Sequence, residues 1–160
     1  MPTITGDIIT DAVVNLKTAL ETQIATWEVS EVFRYQSAEV GKRGNCIAIE
    51  VVGWQPVLSG LASPTVVIDH KVTMRVWYIH GTNARIDVAY DKVYSRLSKM
   101  VAYIIENPMP NGYGTFLIDD QAFGPTVETL APIEAETGVL LAGKFTVIHT
   151  YTKSHTQTFA

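Results

Sequence analysis

One cysteine, Cys46, stands in 160 residues, so no disulfide can form within the chain. That suits a reducing compartment, and Cys46 lies in an apolar run with no histidine within ten residues to activate it, as a small buried hydrophobe would. Basic residues are also few: 12 Lys and Arg against 16 Asp and Glu leave a net charge of -4. A surface that wraps nucleic acid needs clustered cations, so this balance argues against DNA binding. No stretch approaches the ~18 apolar residues of a membrane span. The opening MPTITGDIITD has neither the basic nor the apolar region of a secretion signal. The expectation is a soluble, unexported protein.

Motifs of chemistry are equally scarce. There is no GxSxG elbow to hold a nucleophilic serine and no GxxxxGK[ST] loop to cradle a phosphate. The four histidines, His70, His80, His149 and His155, show none of the HxxxH or HxH spacings of metal ligands, and no cofactor is implied. His70 and His149 fall on inward faces of strands and would approach each other if those strands pair. The close carboxylates, Asp119 with Asp120 and Glu134 with Glu136, sit in or beside turns, where solvation explains them without a site.

What is present is pattern. Hydrophobic residues make up 47% of the chain and charged residues 18%, a balance that folds rather than stays disordered. From Thr65 to His80 the sequence TVVIDHKVTMRVWYIH alternates with a period of two. Val66, Ile68, His70, Val72, Met74, Val76 and Tyr78 share one face, while Asp69, Lys71, Thr73 and Arg75 share the other. This is a long strand in a sheet with one wet side. Ahead of it, Ile9, Val13, Leu16, Leu20 and Ile24 recur at helical spacing behind a Thr5 or Asp7 cap, predicting a helix that ends near Ala25. A second helix follows GTNARID, capped by Thr82 or Asn83. Its stripe is Ile86, Tyr90, Val93, Leu97, Met100, Val101 and Ile104, its polar face holds Asp87, Asp91, Lys92, Arg96 and Lys99, and it stops at Asn107-Pro108.

Further strands are expected over Trp27 to Gln36 and Asn45 to Val52, joined as a hairpin by SAEVGKRG, and over Tyr113 to Phe123, Thr126 to Ile133 and Gly138 to Tyr151. The count is six or seven. Helices and strands in this order predict an α+β fold, a mainly antiparallel sheet with two helices packed on one face. Residues 1–152 form a single domain. Residues 153–160 lack periodicity and are expected to be a flexible tail.

Two segments are candidates for contact with partners or other subunits. The run GWQPVLSGLASP, Gly53 to Pro64, has the glycine and proline content of a loop yet carries Trp54, Val57, Leu58 and Leu61, which need cover. Lys42 and Arg43, in the expected hairpin loop, form the densest basic spot.

This order of elements, over about residues 7 to 152, resembles the tail terminator (tail completion, tail-to-head joining) proteins of long-tailed bacteriophages. The resemblance implies a non-catalytic structural protein of the virion, assembled in the host cytoplasm. Such a protein forms a ring, usually a hexamer, that caps the tail tube protein and meets the head-side connector or stopper. DNA passes through the lumen without specific binding. Other readings stay open: another neck or minor tail ring protein, or a small-ligand enzyme or binding domain with a pocket between the second helix and the strands of His70 and His149.

Overall fold

A computed structural model describes residues 5–34, 45–82, 86–118, 127–129, 133–135 and 138–158. Asp7 caps helix α1 (Ile8–Glu21), its side chain accepting from the Thr10 amide at 3.5 Å and the Thr10 hydroxyl at 3.0 Å. The helix stops short of Ala25. Thr22 turns its amide and hydroxyl back onto the Ala19 carbonyl, and a separate turn, α2 (Ile24–Trp27), follows before Glu28 ends it in the left-handed region. Trp27 therefore closes a helical turn instead of opening a strand, and its buried ring meets Tyr103 edge-on at 5.5 Å.

Strand β1 (Glu31–Phe33) pairs in parallel with β2 (Cys46–Ala62), so the two do not form the expected hairpin. Lys42 and Arg43 lie outside the described residues. Strand β2 then runs on through the segment expected to be a loop. It pairs antiparallel with β3 (Thr65–Thr82) as far as the Ala62–Thr65 pair, and Ser63-Pro64 makes the turn. The alternation that should announce this strand is broken twice, by register shifts between Val51 and Gly53 and between Leu58 and Gly60. Each shift inserts one extra residue and resets which side chains face the core side. Val51, Trp54, Pro56, Leu58 and Leu61 thus share one face despite their uneven spacing.

Helix α3 (Ile86–Glu106) ends just ahead of Asn107-Pro108, as its sequence predicts. Arg96, assigned to its polar face, is instead buried and donates from Nη2 to Glu28 at 2.9 Å. Strands β4 (Thr115–Ile118), β5 (Val127–Thr129) and β6 (Ile133–Ala135) pair in turn along one edge of β7 (Gly138–Thr156). The other edge of β7 pairs with β3 along its whole length, from Thr82–Val139 to Thr65–Thr156. Residues 153–156, expected in the tail, are therefore strand. The main path of the sheet runs β1-β2-β3-β7-β4, and the architecture is α+β.

The core lies between this sheet and the helices. Leu16 and Leu20 from α1, Val93, Leu97 and Met100 from α3, and Ile47, Ile49, Met74, Val76, Phe145 and Val147 from the sheet are all fully or almost fully buried. Each such side chain contributes about 1.5–3 kcal/mol before entropy is subtracted. The opposite face is not uniformly wet. Cys46, Ala48, Trp77 and Ile79 form a second small apolar cluster there, with Phe33 and Ala142 against it. No helix among the described residues is long and apolar enough to cross a membrane.

Candidate functional site

The three long strands outrun the helices. The main core takes in Ile47, Ile49 and Val51 of β2 and Val72, Met74, Val76 and Tyr78 of β3, but nothing from Trp54 to Ala62. About ten residues of β2, some 30 Å of strand, continue with β3 and β7 as a three-stranded arm. On its core-side face Trp54 is 47% exposed, Leu58 60% and Leu61 67%. Together they make an exposed apolar patch on one face of a strand. Beyond the β1 pairing at Ala48, the outer edge of β2 has no strand beside it among the described residues.

Of the four residues singled out in this segment, Trp54, Leu58 and Leu61 come together on one face. Val57 does not: it is half-buried on the opposite side, paired with Asp69. That opposite side is polar, with Asp69 accepting from the Thr152 hydroxyl at 2.6 Å. Nearer the helices Glu50 accepts from the Trp77 indole at 2.9 Å and lies 3.9 Å from Arg75.

On the core side of the arm, His70 is buried between strands. The Trp54 indole Nε1–H donates to its Nδ1 at 3.3 Å, and its Nε2 lies 2.8 Å from Nε2 of His155. The Trp54 and His70 rings stack at 5.8 Å, and the two imidazoles meet edge to face at 5.0 Å. Burial, then the neighbouring His155 and Lys153, hold His70 below its ordinary value of 6.5, against a smaller opposing pull from Asp69.

His149 sits elsewhere. Strands β3 and β7 do pair, with Val72 opposite His149 and His70 opposite Tyr151, but the two histidines take separate partners. Nε2 of His149 lies 3.2 Å from both the Tyr113 carbonyl and Asn15 Nδ2. Asn15 donates to the same carbonyl at 2.5 Å and accepts from Asn111 at 2.6 Å. The rings of Tyr113 and Phe116 pack on the imidazole at 5.3 and 4.9 Å. Burial pushes His149 down, so it is neutral near pH 7, and this network fastens α1, the 107–114 loop and β7 together. A joint His70–His149 pocket is not formed.

Among the described residues, no group of three or more His, Cys, Asp or Glu side chains is placed to hold a metal. Asp119, Asp120 and Glu136, and the side chain of Glu134, lie outside what is described. Sequence reasoning missed Asn15, and it counted His155 among the four histidines without foreseeing its contact with His70. Asn15 follows Asp11 by four residues on the buried side of α1, a polar pair amid an apolar stripe. His155 continues the two-residue period of Val147, His149, Tyr151 and Lys153. Compared with protein-family models and with curated proteins, the chain matches none.

Proposed function

We propose that this chain is a structural ring subunit of the phage tail terminator type, which caps a tail tube and joins it to a head-side connector in the virion. The observation that carries the reading is the arm: a rigid three-stranded extension with Trp54, Leu58 and Leu61 exposed on one face. Rings close through heterologous contacts, in which a surface of one copy meets a different surface of the next. A projecting arm suits that geometry because it reaches past its own core. The net charge of -4 also suits a lumen through which DNA slides without sticking.

Light scattering of the purified chain, and electron microscopy after mixing with tail tubes, test this reading. The expected result is a closed ring, alone or seated on tube ends, and an end to tube growth. A chain that stays monomeric and also leaves tubes untouched sinks the proposal. The double substitution Trp54→Ser, Leu58→Ser is expected to abolish ring or tube-end assembly while the melting temperature shifts by no more than a few degrees.

A further inference from the structure

Side chains as well as backbone pairing join the three strands of the arm. An indole nitrogen can only donate, so the Trp54 Nε1–H aimed at His70 Nδ1 requires a lone pair on that nitrogen. His70 then carries its single proton on Nε2, where it is donated across 2.8 Å to His155. His155 accepts at Nε2 and keeps its own proton on Nδ1. The bonds run in one direction, from β2 through β3 to β7, with both rings neutral.

A proton added to His70 breaks one link only: it must go to Nδ1, where it faces the indole N–H, while the Nε2–H bond to His155 stays in place. We infer that Trp54 and His70 form an acid-released latch on the exposed apolar face of the arm, closed on the indole while the His70 imidazole is neutral and open once it is protonated, with His155 holding the tautomer that keeps Nδ1 free to accept.

The surrounding charges act in the same sense. Lys153 lies on the rung between the two histidines, paired with Ile68 on the same face, and opposes a second positive charge there. Tyr151, directly across from His70, brings a phenol ring packed against Tyr113 at 4.3 Å. Asp69 would favour a charged His70, but it points to the other face and is engaged by Thr152. A group held below its ordinary value stabilises the fold above that value and ceases to as pH falls, so the latch weakens from about pH 6.5 downward. A transition metal between the two Nε2 atoms is a poorer account. A metal-bound imidazole donates its other N–H to an acceptor, and here a donor stands at that position.

Opening the latch frees the Trp54 indole, and so reshapes the exposed apolar face. The test uses the full chain. Ring nitrogen resonances at about pH 7.5 should show His70 protonated on Nε2 and His155 on Nδ1. Exchange of the Trp54 indole Nε1–H, corrected for the intrinsic effect of pH, should rise roughly fivefold or more between about pH 7.5 and about pH 5, while the amides of Val93 and Leu97 stay protected. In His70→Ala the indole N–H should exchange fast at both pH values. A proton on Nδ1 of His70, unchanged indole exchange in the unmodified chain, or a full-sized pH response in His70→Ala would each overturn the latch. The tautomer measurement needs no variant and stands whether or not His70→Ala folds.

Discussion

Gly114 shows how a single position can be dictated by its surroundings. Its φ is +66°, and a Cβ there would stand 2.5 Å from His149 Nε2 and 2.7 Å from the Thr150 carbonyl oxygen. Neither the buried imidazole nor the strand backbone can withdraw. Gly112 has a similar φ of +69° but open space around it. Gly114→Ala is therefore expected to cost about 3 kcal/mol or more, and Gly112→Ala only about 1 kcal/mol, the left-handed backbone penalty alone. Urea unfolding of the two variants measures the difference. Near-equal losses would show that His149 is not held as tightly as its contacts with Asn15 and Tyr113 indicate. In the sequence Gly114 is simply part of a turn, because the atoms that crowd it belong to β7, more than thirty residues on.

Elements differ in how openly they announce themselves. Helices α1 and α3 were legible because their stripes repeat every three or four residues, and one long period suffices to place a face. Strand β3 was legible for the same reason with a period of two. The outer half of β2 was not: two bulges reset its alternation, and Gly53, Pro56 and Gly60 read as loop chemistry. The end of β7 was missed because its side chains are polar, and what makes it a strand is backbone pairing to β3. Truncation after Thr152 tests that pairing. It should raise corrected amide exchange in β3 from Val66 to Asp69 by at least about tenfold, whereas removal of a free tail would leave those amides unchanged.

Across the whole molecule, buried titratable groups define a pH window for stability. His70, His80 and His149 are all lowered from 6.5, in each case chiefly by burial, so the unfolded chain takes up protons more readily than the folded one. Stability should fall as pH drops below about 6.5. Tyr78 and Tyr113 are pushed up to about 12, again mainly by burial. Folding keeps them protonated where the unfolded chain would ionise, so stability should also fall as pH rises through 10 toward 12. Urea unfolding at about pH 5, 8 and 11 should give the highest free energy at the middle value. A flat profile would mean that these side chains reach water in the folded state.

The amino-acid sequence by itself determined the class of the fold, the two long helices and the inward face of β3, since each follows from a local period that burial alone enforces. It also singled out Trp54, Leu58 and Leu61 as apolar side chains in want of cover. Tertiary structure alone decided that these lie on a strand, that Val57 faces the other way, that β1 runs parallel to β2, and that His70 meets His155 and not His149. Those outcomes depend on register and on contacts between residues far apart in the chain. A one-residue shift in pairing reverses a strand's faces, and no local pattern records where the shift occurs.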